Sequence, residues 1–333
     1  MSDIQQTIVT YDDDPFVYLY VKDTKEWYCY NPTNSVVGSG AMGTVYSGFR
    51  CSTRERVAIK KVSDRFSNMK IIRERAKQEA ALTFRHPNLV EMIGYCEERP
   101  DRGSIFVLSK YVQGQNIDTF VKTFFSTVND RVEKICRLIL PVLDALEYIH
   151  SRGVVHRDVK PSNIMVENSQ NVRLMDLGIA RMNGGNKYSM MGFIGTPEYA
   201  APEQISRSEK NPIQINSSTD LYSLGITLYE LLDGTNPMVG KADIDTLTNQ
   251  MKKKLPGSNK IPSRVMNVLW KATEKEPRKR FQSAMEFRAA LQEALLPEPS
   301  SLQQFADWIE DNQYLAIFIL AALLALVCFI IFL

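Results

Sequence analysis

The chain is poor in the features that mark several large protein classes. Its five cysteines, Cys29, Cys51, Cys96, Cys136 and Cys328, are odd in number, scattered and never in a C-x-x-C spacing. That excludes a disulfide framework and a zinc ribbon, and it fits a reducing compartment. Charge of one sign is also lacking. Lys and Arg number 40 against 38 Asp and Glu, a net of +2, so the basic surplus of a nucleic-acid binder is missing and no nucleic-acid partner is expected. The N-terminus, MSDIQQTIVTYDDDP, has neither a basic patch nor an apolar run, which excludes a secretory signal. No internal repeat or low-complexity tract occurs. A mean hydropathy of −0.21 excludes a polytopic membrane protein.

What remains is a globular composition, 44% hydrophobic and 23% charged over 333 residues, enough for one large domain or two modest ones. Residues 1–30 read as an N-terminal extension with a hairpin, because VYLYVKDTKEWYCY alternates around a Lys-Asp-Thr-Lys break. Residues of about 31–112 are strand-rich, interrupted by the helical MKIIRERAKQEAAL. From about 113 to 296 the 3.6-residue period dominates, as in KICRLILPVLDALEYIHS and DLYSLGITLYELLDG. Strands first and helices after imply an α+β protein in two lobes. At Pro297 the composition shifts to a linker, 297–313. Tyr314–Leu333 then runs for 20 residues without a charge. Such a run spans about 30 Å as a helix, the thickness of a bilayer core, and reads as a single transmembrane helix; the plain alternative is a buried core helix.

Three motifs carry chemistry. Gly38-Ser39-Gly40-Ala41-Met42-Gly43-Thr44-Val45 is a G-x-G-x-x-G-x-V, in which missing side chains let backbone N–H groups approach phosphate oxygens. Dinucleotide-binding folds share this spacing, but they continue into a helix; here the β-forming TVYSGF follows, then Val57-Ala58-Ile59-Lys60. A lysine in that strand faces either the cleft or solvent, and the glycine loop favours the cleft. The decisive run is His156-Arg157-Asp158-Val159-Lys160-Pro161-Ser162-Asn163, followed by Asp176-Leu177-Gly178. It offers a base, a cation for phosphate, and two oxygen ligands for Mg²⁺, a hard cation suited to carboxylates and phosphates.

With these motifs in order, and with Ala201-Pro202-Glu203 after them, residues 35–296 resemble the eukaryotic-type protein kinases, and among them the bacterial Ser/Thr kinases. The resemblance implies a bilobal protein-kinase fold, ATP with Mg²⁺ (or Mn²⁺ in its place), and protein substrates. It implies that Lys60 holds the α- and β-phosphates and that Asp158 accepts the proton of the attacking hydroxyl. Lys160 would steady the γ-phosphate, while Asn163 and Asp176 hold the metal. Val37, Gly38, Ser39, Gly40, Gly43, Val45, Ala58, Val112 and Met165 would line the nucleotide site. Asp220 would brace the catalytic loop, and Arg280 would pair with Glu203.

Departures from the pattern matter. The family places the partner of Lys60 nine residues before His86, where this chain has Lys77. Glu79 and Glu74 are the nearest acids, and Glu79 is the choice here. Asp-Leu-Gly replaces Asp-Phe-Gly and keeps the apolar contact. Lys160 and Thr196 resemble the Ser/Thr class rather than the tyrosine class. Arg157 could meet a phosphate on the activation segment, where Ser189 and Tyr188 are hydroxyls ahead of Thr196. The functional expectation is a membrane-tethered, autophosphorylating Ser/Thr kinase. Its domain faces the cytoplasm and its C-terminal helix meets lipid, with Ala321 and Ala325 as a small-residue pair for a homodimer. The competing expectation is a nucleotide-binding pseudokinase scaffold.

Overall fold

The computed structural model describes residues 7–40, 43–100, 102–125, 130–168, 171–176, 196–205, 215–297, 308–315 and 317. Contacts divide the chain into two units, Met1–Ala294 and Leu295–Leu333.

The first half of the large unit is a sheet. Its strands are β1 (Ile8–Tyr11), β2 (Asp14–Val21), β3 (Glu26–Tyr30), β4 (Val36–Gly40), β5 (Gly43–Arg50), β6 (Arg56–Val62), β7 (Met92–Glu97) and β8 (Ile105–Lys110). The order is β1-β2-β3-β5-β6-β8-β7, with β4 also on β5. Residues 8–30, read as an extension, thus add three strands to this sheet: β2 and β3 form a hairpin, and β3 pairs directly with β5, Cys29 opposite Phe49. Alternation decides the two faces. Leu19, Val21, Tyr28, Tyr30, Val57, Ile59, Cys96, Phe106 and Leu108 form one core. On the other face Val62, Ile105 and Val107 pack against α2 (Lys70–Ala80), which follows the short α1 (Asp64–Ser67). The extension therefore covers the sheet face that α2 leaves free.

The second half is helical, apart from a small sheet of β9 (Gly114–Asn116), β10 (Ile164–Glu167) and β11 (Asn171–Leu174). Its helices are α3 (Ile117–Phe124), α4 (Arg131–His150), α5 (Pro202–Ile205), α6 (Ser217–Asp233), α7 (Asp243–Lys252), α8 (Ser263–Ala272) and α9 (Ala284–Ala294). α6 is buried on nearly every side, its Ser218, Thr219, Asp220, Ser223 and Thr227 included, and Thr219 and Ser223 find partners inside the lobe. Asn216 caps its start by accepting from Ser218 N–H, and Gly234 ends it at φ +96°. The two halves are stitched where the His86-Pro87-Asn88 segment meets β11: Leu174 N–H donates to Asn88 O, and Asn88 Nδ2 to Val172 O.

In the small unit residues 308–315 carry helical turns. Among the described residues no helix is long and apolar enough to cross a membrane. The span expected over 314–333 lies mostly outside the described residues, as do Ala321 and Ala325.

Candidate active site

The loop between α4 and β10 brings Asp158, Lys160 and Asn163 together. Lys160 Nζ lies 3.0 Å from Asp158 Oδ2 and donates to Thr196 Oγ1 at 2.6 Å. Asn163 turns its amide nitrogen to Asp158, donating to the backbone O at 2.8 Å and to Oδ2 at 3.1 Å. That orientation leaves the amide oxygen as the atom able to meet a cation. His156 is buried beneath the loop. Its Nε2 donates to Met175 O at 2.9 Å, and its Nδ1 accepts from Asp158 N–H at 3.3 Å, so the hydrogen bonds assign the ring proton to Nε2. Arg157 and Asp176 sit at φ +66° and +46°. For a long side chain such as Arg157 that region is costly, and it persists only where the surroundings impose it.

Asp220 does the imposing. Fully buried on α6, it accepts from the backbone N–H groups of His156 (2.7 Å) and Arg157 (2.6 Å) and from His150 Nε2 (2.7 Å). Gln204 Nε2 closes the frame by donating to Arg157 O at 3.0 Å. Nearby, Arg280 and Glu203 form a fully buried fork, Nη1 to Oε1 at 2.7 Å and Nη2 to Oε2 at 2.8 Å. The remaining guanidinium hydrogens go to the carbonyls of Ser218, Glu274 and Lys275, so every donor of the buried cation is used. Residues 196–200 are held from below. Gln250 donates to Pro197 O and Glu198 O, Asn236 to Glu198 O, Ser223 to Tyr199 O, and Tyr199 OH to Glu230.

Across the cleft, β6 presents Lys60 opposite Val45 of β5 and Val107 of β8. Lys60 Nζ donates to Asp176 Oδ2 at 2.9 Å. Burial would lower the Lys60 ammonium, but Asp176 and Glu79 more than reverse it and hold it above the ordinary lysine range. Asp176 is held low by the charge and hydrogen bond of Lys60. Glu79 is 6% exposed and faces the same cluster. Burial raises its carboxyl to about 7; Lys60 pulls it down, whereas Asp176 and Asp158 push it up. Lys60 and Glu79 are not an ion pair within 4 Å. Glu74, the other candidate, is exposed, and Lys77 is bound to Glu97 at 3.0 Å. The helix ends at Ala80, so the acid that reaches the cleft stands closer to His86 than the family spacing has it.

A protein kinase domain model matches residues 32–294. The chain belongs to the protein kinase family. It is 31% identical to the serine/threonine-protein kinase PknH of Mycobacterium tuberculosis over 267 residues, 78% of this chain and 41% of that protein. It is 30% identical to the serine/threonine-protein kinase pkn3 of Myxococcus xanthus over 275 residues, 78% of this chain and 48% of that one. The chain thus spans less than half the length of either. The crystal structure of the PknI kinase domain of Mycobacterium tuberculosis matches with a TM-score of 0.60 at 25% identity, covering 80% of this chain and 96% of that one.

The kinase fold explains the remaining placements. Gly38, Ser39 and Gly40 on β4 pair with Val45, Thr44 and Gly43. A Cβ on Gly43 would stand 2.0 Å from Lys61 O, at φ +147°, so only glycine fits; Gly38 and Gly40 face open space, the room a phosphate needs. Ala58 lies opposite Ser109, Val112 is buried after β8, and Met165 lies on β10. Lys110 turns outward to Glu91 at 2.8 Å. Among the described residues no group of three His, Cys, Asp or Glu could hold a metal. Two oxygen donors, Asn163 and Asp176, fit a Mg²⁺ that completes its shell with substrate phosphates and water. Ser189, Tyr188, Leu177 and Gly178 lie outside the described residues. Sequence reasoning missed Gln204 and Gln250 on helices and Asn236 in the loop after α6, polar residues with no motif to flag them. It also missed Arg73, which left one signal: it shares the buried face of α2 with Ile72, Ala76, Glu79 and Ala80.

Proposed function

We propose that this kinase transfers the γ-phosphate of ATP to Ser or Thr hydroxyls of proteins, itself included. The observation that supports the reading best is Lys160 bridging Asp158 and Thr196, with Asn163 oriented by the same aspartate. A substrate hydroxyl set beside Asp158 Oδ2 loses its proton to that carboxylate as its oxygen bonds the γ-phosphorus, while the bond from that phosphorus to the β,γ-bridging oxygen breaks and ADP leaves. Lys160, already between base and substrate loop, meets the negative charge that gathers on the transferred group. Lys60 orients the α- and β-phosphates, and Glu79 is the acid of α2 that faces Lys60 and steadies it. Asn163 and Asp176 would hold Mg²⁺, which would supply charge neutralisation at the phosphates. Arg157 and a phosphorylated segment hydroxyl, Ser189 or a neighbour, form the regulatory pair of this reading. Retention of Lys60, Asp158, Asn163 and Asp176 speaks against the pseudokinase alternative.

The test is incubation of the full chain with γ-labelled ATP, Mg²⁺ and a protein substrate, beside Asp158→Asn. Transfer should fall roughly 10²-fold or more in the variant; equal turnover overturns the assignment. Tethering is part of the proposal, resting on the uncharged run Tyr314–Leu333, with the kinase domain on the ATP-containing cytoplasmic face. Fractionation against a version ending at Pro299 checks it: equal solubility without detergent overturns the anchor.

A further inference from the structure

Arg73 is a charged residue where a helix of this kind should carry an apolar one. It lies on the face of α2 that packs on the sheet and is 2% exposed. Its guanidinium reaches three separate pieces of chain. Nη1 donates to Ser67 O at the end of α1 (2.7 Å) and to Gly103 O (2.9 Å); Nη2 donates to Arg99 O and to Glu97 Oε2 (2.9 Å). Glu97 at the end of β7 also pairs with Lys77 Nζ at 3.0 Å and accepts from Tyr95 OH at 3.0 Å. Burial would raise the Glu97 carboxyl, but Lys77, Arg73 and Tyr95 hold it below the usual range, so it stays charged and keeps its grip. Two cations of α2, four residues apart, are therefore clamped on one carboxylate of the sheet.

The clamp bears on the cleft because of helical geometry. Glu79 is six residues beyond Arg73, about 9 Å along the axis and about 120° around it, so the two stand at opposite edges of the buried face of α2. Rotating α2 to take Glu79 away from Lys60 would pull Arg73 off all four acceptors, and a buried guanidinium without partners is among the costliest defects a core can hold. Lys77, at the place where the family spacing expects the acid, is consumed by the same clamp.

We propose that Arg73 is the positioning residue of the Lys60–Glu79 pair, tying α2 to α1 and to the β7–β8 turn so that Glu79 stays aimed into the cleft and the helix does not swing as an on–off switch. The inference deepens the kinase reading above and rests on it for its catalytic consequence. The test uses the full chain with Arg73→Met, Arg73→Lys and Glu97→Gln. Arg73→Met should lower kcat/KM for MgATP roughly 10- to 100-fold, since a small misplacement of a reacting group is that damaging. The loss should fall mainly on kcat, with part recovered in Arg73→Lys. The pH profile supplies a readout that lost stability alone would not move. The groups facing Glu79 are Lys60 from β6, Asp176 after β11 and Asp158 from the catalytic loop. In the parent, kcat/KM should rise through pH 7 as Glu79 ionises; in Arg73→Met a loosened, hydrated Glu79 should shift that rise to lower pH. A lower melting midpoint with unchanged kcat/KM and an unmoved profile overturns the proposal. If Arg73→Met does not fold, unchanged kcat/KM in both Arg73→Lys and Glu97→Gln overturns it equally. Hydrogen exchange separates the two layers of argument. Should the parent transfer no phosphate, the kinase reading fails, yet faster exchange at the Glu79 end of α2 in the Arg73 variants still supports the clamp. Equal exchange there sinks it.

Discussion

The most buried carboxylates of the two lobes stand in opposite situations. In the helical lobe Asp220 accepts three hydrogen bonds and the Glu203–Arg280 fork leaves no guanidinium hydrogen unused. In the strand lobe Glu79 is equally buried, yet it is not paired within 4 Å to the lysine it faces, and its carboxyl sits near 7. Satisfied charges hold one geometry, whereas an unsatisfied one stores free energy that a ligand can release. The loop carrying Asp158, Lys160 and Asn163 is thus braced by the chain's own hydrogen bonds. The Lys60–Glu79 contact is left to be completed, although the helix carrying Glu79 is already clamped.

The comparison breaks most visibly at Arg280. Arg280→Met leaves Glu203 buried without its partner, and removing one member of such a pair costs about 3–5 kcal/mol. Chemical denaturation should show that loss, with the denaturation slope unchanged. A cost below 1 kcal/mol would mean the fork is not the anchor the geometry suggests.

Glu79 should behave in the reverse sense. Its folded-state carboxyl is raised to about 7 from an ordinary 4.5, so between those values the folded chain binds a proton that the unfolded chain has released. Stability then falls as pH rises through that window, and the contribution is fully present only below it. Activity, which needs the carboxylate, should rise over the same window. Glu79→Gln should abolish the stability slope with little loss of folding free energy, while lowering transfer. If the variant is destabilised as severely as Arg280→Met, the contrast between the lobes is wrong.

Much of this is legible in the sequence alone, for a physical reason. The candidate catalytic residues lie in contiguous runs whose spacing is set by one loop, as with Asp158, Lys160 and Asn163, or by one strand, as with Lys60. The helix α6 and the change from strand to helix near residue 113 follow from the sequence pattern. What was hidden depends on pairings between distant segments. That Glu79 rather than Glu74 enters the cleft follows from α2 ending at Ala80, which propensity does not dictate. The pairing of β3 with β5 is a tertiary choice between equally plausible edges, and β1 has only four residues, two half-buried and two exposed, to announce it. Arg73 and Glu97 each read as surface charges until the fold places them together.

The smallest effect tests how far the helical lobe's order extends. Lys275 is held down to about 8, first by burial and then by the Arg280 charge beside it, with Glu274 opposing. Its Nζ donates to Tyr222 OH at 2.6 Å, and Tyr222 OH donates to Gln250 Oε1 at 2.6 Å. Gln250 in turn carries the carbonyls of Pro197 and Glu198, so a titrating amine ends a chain of hydrogen bonds that begins at the substrate loop. Between pH 8 and the ordinary lysine value of 10.5 the unfolded chain keeps a proton that the folded chain has shed. Stability should therefore rise across that window, by about 1 kcal/mol once solvent screening is allowed for. Below 8 the destabilisation is fully present. Melting midpoints at pH 7.5 and 9.5 should differ in the parent (values of pH about either side of 8) and converge in Lys275→Met. A parent with no rise would show that Lys275 turns out to solvent, and that the order around Arg280 stops at its own carbonyls.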